Sequence, residues 1–558
     1  MRYILRLLAL GAAFLLAWIG TGTSEEGTWR LFMAGILFFL LVAFWPGRKD
    51  PDENPIGRNV RLIGGIFLAI GLILGLQTLR LQILQADAIR TKTAELPEGA
   101  VENIRPVIVE RRTRRGRIYD RDGILLADIQ ITEDDWVRRT YPRDDLGHII
   151  GFYNPLYGNA GLEASYDDYL AGRVQVPPWE AFLEELLHQA HDGNDLRLTL
   201  DIELQEIAQE ALGENRGAIV LLDTRTGAIL AMASAPRFDP RPMVFDPAAA
   251  DWERERDRIT AYWKGLLSSP DTPLVDRAVA GLYPPGSTFK TLTAAIALET
   301  DVATPSTHIP CPNELVVTGH TIVNFMDDLA EQFMEEESLL EDYQYSCNTA
   351  FAQLGLMLGA ERYSEHAKDF GLYYASLAPL QWPDFDEVPA ATPTIARDRS
   401  FLDRQTGLAD TAYGQGELQV TPLYLAMLAA TIANDGMMMK PYLVEQAVTP
   451  DGEVLYQADP TPLRIPIGAR TARRMRNMMT VAGVEGWGWR AQIEGVKVAG
   501  KTGTAETGAG VPHAVFIAFA PAENPQYAIA VLVENGETGA RTSAPLAKIV
   551  LEAALGQE

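Results

Sequence analysis

Apolar residues are unevenly spread along this chain. Three uncharged apolar runs fall in the first eighty residues, at 7–20, 31–45 and 62–79, bordered by Arg6, Arg30, Arg61 and Arg80. Their lengths of 14, 15 and 18 residues compare with about 20 for a helix that spans a bilayer. Flanking arginines can reach the interface along their aliphatic stems, so the pattern predicts three transmembrane helices. A hydrophobic hairpin inside a soluble core is the alternative, and three such runs side by side with charged borders argue against it. Arg2 and Arg6 precede the first run, and Arg48, Lys49, Arg58 and Arg61 separate the second from the third. Glu25 and Glu26 lie between the first two. Positive charge stays inside, so the N-terminus is expected in the cytoplasm and everything after Arg80 outside the membrane. A first run read as a signal peptide gives the same outcome, although residues 18–23 offer no clear Ala-x-Ala site.

From 81 to 195 the chain is polar and mixed. Asp122-Gly123, between the β-prone runs 118–119 and 124–127, predicts a hairpin. A helix is expected over 179–190. No nucleophile stands near a base here, and the segment reads as a pedestal. From 196 the pattern changes again. Residues 196–200 read as a strand and 202–212 as a helix capped by Asp201. Residues 217–222 and 228–233 read as paired strands across the turn 223–227, and 250–267 as a helix. Near the C-terminus, 496–499, 513–520 and 527–533 read as strands and 544–555 as a closing helix. Strands at both ends of a helical middle predict one sheet built from both ends of a domain, with helices packed on it. The chain thus divides into an anchor (1–80), a pedestal (81–195) and a large α/β unit (196–558).

Composition narrows the partners. The 558 residues hold 48 basic and 74 acidic side chains, a net charge of -26, which argues against nucleic acid. Cys311 and Cys347 exclude a disulfide-rich scaffold and leave one disulfide open. Cys347 is read as a small buried thiol. His188 and His191, three apart, have no other ligand character beside them and are read as solvated, so no metal is expected.

Chemistry begins at Pro284-Pro285-Gly286-Ser287-Thr288-Phe289-Lys290. A helix-breaking stretch is followed by an apolar run, which puts Ser287 at a helix start and Lys290 one turn on, facing the same way. A hydroxyl becomes a nucleophile when a desolvated amine takes its proton, and a helix N-terminus suits a developing oxyanion. Alone, the pair is as readily a helix cap and a surface lysine. Tyr345-Ser346-Cys347-Asn348 stands before the apolar helix 349–358. If that loop is extended, the Ser346 and Asn348 side chains point the same way, able to relay a proton and hold an amide. Val498-Ala499-Gly500-Lys501-Thr502-Gly503-Thr504-Ala505-Glu506 sets a lysine and hydroxyls after a β-run, on an edge suited to a carboxylate.

Ser-x-x-Lys, Ser-x-Asn and Lys-Thr-Gly in this order resemble the motif set of penicillin-binding proteins and serine β-lactamases. Residues 283–290, 414–422 and 499–506, with 115–121 and 161–163 in the pedestal, resemble class B penicillin-binding proteins, and the short pedestal their PbpA-type members. The resemblance runs from about residue 112 to the C-terminus. It implies a penicillin-binding-protein/serine β-lactamase-like fold, an antiparallel sheet with helices on both faces and an all-helical subdomain. It also implies a peptidoglycan D,D-transpeptidase of the bacterial plasma membrane, with its catalytic domain outside, that cross-links stem peptides ending in D-Ala-D-Ala. In the roles so implied, Ser287 is the nucleophile, Lys290 its base, Ser346 the proton relay and Lys501 its neighbour. Asn348 holds the donor peptide, and Thr502, Gly503 and Thr504 serve the terminal carboxylate and the oxyanion hole. β-Lactams would acylate Ser287. No cofactor is implied, and a SEDS-type glycosyltransferase is the implied membrane partner. Two stretches depart from the family's pattern, Gly486-Trp487-Gly488-Trp489-Arg490 and Val515, both expected near the cleft rim.

Rival readings are a D,D-carboxypeptidase or β-lactamase-like hydrolase, and a β-lactam sensor. A Glu-x-x-Leu-Asn box for the second is absent from the sequence, as is a His-Glu-x-x-His metalloprotease for the third.

Overall fold

The computed structural model describes residues 2–21, 26–44, 55–80, 94–96, 99–101, 113–132, 136–174, 192–246, 248–324, 337–506 and 510–556. The helix expected over 179–190, with His188 and His191, lies outside them. The chain divides into two compact units, Met1–Ile108 and Val109–Glu558.

In the first unit each apolar run forms a helix: α1 (Arg2–Thr21), α2 (Glu26–Phe44) and α3 (Pro55–Leu79). Ala13, Ala17, Ile36 and Leu40 bury one another, and Leu76 of α3 packs on them. Trp29 Nε1 donates to Gln77 Oε1 at 2.6 Å, joining α2 to α3. Among the described residues no helix is long and apolar enough to cross a membrane. The transmembrane helices expected from the sequence are therefore not shown. The physical reason lies in the runs themselves, whose uncharged cores of 14, 15 and 18 residues fall short of a full span of about 20.

The second unit opens with β1 (Ile118–Tyr119), β2 (Leu125–Ile131) and β3 (Val137–Thr140). Asp120 Oδ1 accepts from the Asp122 and Ile124 backbone N–H groups and Gly123 takes φ 86°, which closes the expected hairpin. β4 (Asp195–Leu198) runs parallel to β1. Val444–Val448 and Val454–Gln457, from far downstream, complete a six-stranded sheet. Two separated stretches of the pedestal meet at a buried carboxylate. Glu163 accepts from Arg115 at 2.9 Å, Arg139 at 2.5 Å and the Tyr141 hydroxyl at 3.1 Å. A charge removed from water persists only when paired in this way.

The larger sheet follows the sequence pattern. Asp201 caps α4 (Ile202–Leu212), accepting from the Glu203 and Leu204 N–H groups. β5 (Gly217–Asp223) and β6 (Ile229–Ala235) form the first hairpin. After a largely helical middle come β7 (Ala499–Ala505), β8 (His513–Ala520), β9 (Tyr527–Val533) and a C-terminal helix, Ala544–Ala554. The order is β6-β5-β9-β8-β7, antiparallel throughout. Alternate residues serve opposite faces. Ile219, Leu221, Ile529 and Val531 pack with α4 and Ala544–Ala554, while Val220, Leu222, Ala528 and Ala530 join the main core with the helix Pro422–Ala433.

One strand differs from expectation. The β-run read at 496–499 begins only at Ala499 and continues through Lys501, Thr502 and Gly503 to Ala505. Each of its seven residues is paired with β8, from Ala499 opposite Phe519 to Ala505 opposite His513. Pairing with a buried neighbour overrides the weak strand preference of glycine. β7 is the outermost strand, so its far edge is free to face the site.

Candidate active site

Ser287 lies in the short 3-10 turn Gly286–Phe289, which leads into the buried helix α5 (Lys290–Glu299). Residues three apart eclipse in a 3-10 turn, so Lys290 Nζ reaches back to Ser287 Oγ at 3.0 Å. Gly286 makes the turn possible. Its φ is 56°, and a Cβ there would stand 2.6 Å from the Thr504 carbonyl oxygen. The turn is braced from behind by Gly286 N–H donating to the Gly414 carbonyl and by a two-way backbone pair between Tyr283 and Val420. The Gly414–Pro422 stretch thus supports the nucleophile turn.

The Ser346 segment is not the extended loop expected. Ser346 closes the helix Leu339–Tyr345 in a left-handed conformation, φ 67° and ψ 42°. Cys347 caps α6 (Asn348–Leu358), its Sγ accepting from the Ala350 N–H. The side chains nevertheless converge. Lys290 Nζ donates to Ser346 Oγ at 3.1 Å, to the Ser346 carbonyl at 2.7 Å and to Asn348 Oδ1 at 2.7 Å. From the strand side, Lys501 Nζ donates to Ser346 Oγ at 2.9 Å. Ser287, Lys290, Ser346 and Lys501 therefore form one continuous hydrogen-bonded chain, with Asn348 attached to it.

Cys347 is not a free thiol. It is joined to Cys311, and Asn324 reinforces the same segment by accepting from the Asn348 and Thr349 N–H groups at 2.8 and 3.2 Å. The buried-thiol reading failed because pairing depends on a partner 36 residues away, brought close only by the fold. Asn324 stands in no motif, and nothing in the sequence marked it. Cys311, Asp342 and Cys347 are the one metal-ligand-like grouping among the described residues, and with both sulfurs bonded to each other it offers no thiolate.

Electrostatics favour an uncharged base. Burial, and next to it the Lys501 charge, hold the Lys290 amine well below the ordinary lysine range, against the pull of Asp342. Burial alone brings Lys501 down to about 7. Asp342, itself fully buried and with neither carboxylate oxygen hydrogen-bonded to a described residue, is pushed up to about 8 by burial and then by Glu337. A neutral amine 3.0 Å from a serine hydroxyl can accept its proton.

Ser287, Ser346, Asn348, Thr502 and Thr504 all line one cleft of about 210 Å³, and Trp487, Val323, Tyr413 and Gln415 line it too. Gly503 lies behind it, where a Cβ would come within 2.8 Å of the Pro285 carbonyl oxygen. Of the departures noted in the sequence, Trp487 is on the cleft wall, its Nε1 donating to the Tyr345 carbonyl at 3.0 Å. Val515 is buried in β8 instead, because β8 is paired on both sides, with β7 and β9.

Comparison with known proteins gives a consistent picture. Residues 217–552 match the penicillin-binding protein transpeptidase domain, and 115–196 the penicillin binding protein A dimerisation domain. The chain is 33% identical to the peptidoglycan D,D-transpeptidase PbpA of Mycolicibacterium smegmatis, over 89% of its length and 98% of that protein's. It is 30% identical to the peptidoglycan D,D-transpeptidase MrdA of Acinetobacter baumannii, over 74% and 65%. Among solved structures it is similar to penicillin-binding protein A from M. tuberculosis in an imipenem acyl-enzyme complex. The TM-score is 0.70 at 32% identity, with 80% of this chain and 99% of that one covered.

Proposed function

We propose, since the chain belongs to the penicillin-binding protein transpeptidase family, that it is a peptidoglycan D,D-transpeptidase acting through an acyl-enzyme on Ser287. The carrying observation is the buried Lys290 amine 3.0 Å from Ser287 Oγ, with Ser346 Oγ shared between Lys290 and Lys501. Lys290 takes the hydroxyl proton as Ser287 Oγ bonds to the penultimate D-Ala carbonyl carbon. The Ser287 and Thr504 backbone N–H groups receive the oxyanion. The proton passes through Ser346, aided by Lys501, to the departing D-Ala nitrogen as its C–N bond breaks. Asn348 holds the donor backbone, while Thr502 and Thr504, with Gly503 giving close approach, receive the terminal carboxylate. An amine of a second stem peptide then attacks the ester, forms the cross-link and returns the proton to Ser287. β-Lactams enter as donor mimics and remain attached to Ser287.

The test is acylation of the purified protein by labelled penicillin, followed by product analysis with a stem-peptide donor and an amine acceptor. Wild type should be labelled and Ser287→Ala should not. Absence of label on wild type overturns the reading, and D-Ala release with no cross-linked product converts it to a carboxypeptidase.

The proposal extends to placement. The three N-terminal helices anchor the chain in a bacterial plasma membrane, with the N-terminus cytoplasmic and the catalytic unit outside. Support comes from Leu7, Leu8, Phe14, Leu31, Phe67 and Leu74, large apolar side chains exposed on those helices, a surface that suits lipid. The layout is then an anchor to residue 80, a pedestal to 195 and a transpeptidase domain to 558. The first two helices, beyond the single anchor the reaction needs, form the contact for a SEDS-type glycosyltransferase. Copurification that survives deletion of residues 1–45 would overturn that partner assignment.

A further inference from the structure

Among the described side chains lining the cleft, Glu506 is the one carboxylate. It follows β7 directly, and side chains on a strand alternate. Glu506 therefore continues the row of Thr502 and Thr504 along the cleft side of the sheet edge. Two residues of strand cover about 7 Å, which sets Glu506 one step beyond Thr504. It is exposed and makes no hydrogen bond or ion pair with any described residue. Asp410, a carboxylate beside the lining residues His320 and Tyr413, is already engaged: its Oδ1 meets His320 Nε2 at 3.1 Å and accepts from the Tyr413 hydroxyl at 2.8 Å. The two cleft lysines are buried and point inward at Ser346. Glu506 is thus an unspent negative charge at the open end of the edge strand.

What passes Glu506 follows from the direction of the bound chain. The proposed function sets the donor's terminal carboxylate by Thr502 and Thr504, and the attacked carbonyl between Ser287 and the Thr504 N–H. An extended peptide on a free sheet edge runs along it. The residue just before the D-Ala-D-Ala pair then leaves the reaction centre in the direction of Glu506. We infer that Glu506 is a specificity residue, selecting acyl donors whose residue before D-Ala-D-Ala carries a free side-chain ammonium. This inference rests on the transpeptidase reading. It deepens that reading by assigning the charge of the substrate side chain. Tyr413, which also lines the cleft, has a hydroxyl that feels the charges of both Asp410 and Glu506.

The test uses two penicillins with the same ring system, one with an acyl side chain ending in an ammonium and the other its N-acetylated twin. Their second-order acylation rates are measured on full-length protein in detergent, by competition with labelled penicillin. Wild type should prefer the ammonium compound about fivefold, the size expected of a charge contact at an open rim. Glu506→Gln should bring the ratio to about one, and Glu506→Lys should invert it. Equal rates on wild type, or a preference that survives Glu506→Gln, overturn the assignment while leaving the transpeptidase reading intact. Failure of both compounds and of labelled penicillin to acylate wild type overturns the reading itself. Glu506→Lys guards against a merely structural loss, because a reversed preference requires a folded, acylating protein.

Discussion

The two lysines of the cleft illustrate how function is set against stability at single residues. Lys501 is buried, and burial brings its ammonium down to about 7, far below an exposed lysine. The unfolded chain then binds more protons than the folded one between about pH 7 and the ordinary lysine value. Stability therefore rises with pH across that window, and below about 7 the cost of burying the charge is present in full. Lys501→Met removes that cost, about 1.4 kcal/mol for each pH unit of displacement, and loses the hydrogen bonds to Ser346 Oγ and the Thr502 carbonyl. The net expectation is a gain of about 2 kcal/mol at pH 6 that fades toward pH 10, with acylation reduced at least ~100-fold. Calorimetric melting of both proteins from pH 6 to 10 checks the trend, and a gain that grows with pH would refute it. Lys290→Arg separates charge from basicity. A guanidinium keeps its protons at any working pH, so penicillin acylation should fall about 1,000-fold while the fold persists. Near-normal labelling would remove Lys290 from the base role.

At the scale of elements, the site exists because a turn, a helix end and a strand edge are pressed together. Gly503 of β7 lies against the nucleophile turn, and a methyl group there would meet the Pro285 carbonyl oxygen at 2.8 Å and Thr288 Cγ2 at 2.9 Å. Gly503→Ala should therefore push the strand off the turn and cut acylation about 10- to 100-fold. Melting should shift by only a few degrees, since the rest of the sheet is untouched; unchanged acylation rates would show that the gap can absorb a methyl. The Cys311–Cys347 link fixes the segment carrying Ser346 and Asn348. By chain entropy, a loop of this length is worth about 3–4 kcal/mol. Paired serine substitutions at both positions should lower stability by about that amount in denaturant titrations. These elements also mark where the sequence was legible. The turn residues, the alternating strands and the Asp201 cap are local signals, and each formed where expected. The start of β7, the left-handed Ser346 and the Asn324 brace depend on contacts with distant residues, which no local pattern encodes. Glu506 was visible as part of the 499–506 stretch, yet its exposure and its lack of a partner among the described residues appear only once the cleft is built.

At the scale of the whole molecule, the first unit is marked by its large exposed apolar side chains. The sequence predicts spans, and the structure gives three helices with short apolar cores and large exposed apolar side chains. A surface carrying Phe14, Phe67 and Leu74 in water has a strong tendency to associate, and lipid relieves it without requiring each helix to be a perfect span. The acidic balance of the chain, net -26, works against attachment to an anionic membrane by charge. Anchoring should therefore be apolar in origin. Flotation with vesicles gives a direct measurement. Full-length protein should rise with neutral and anionic vesicles alike and stay bound in high salt. Protein lacking residues 1–108 should remain in the soluble fraction and still be labelled by penicillin, because the site lies wholly within Val109–Glu558. Binding that disappears at about 0.5 M salt, where charges more than a few ångströms apart are screened, would instead mean an electrostatic attachment and remove the apolar anchor.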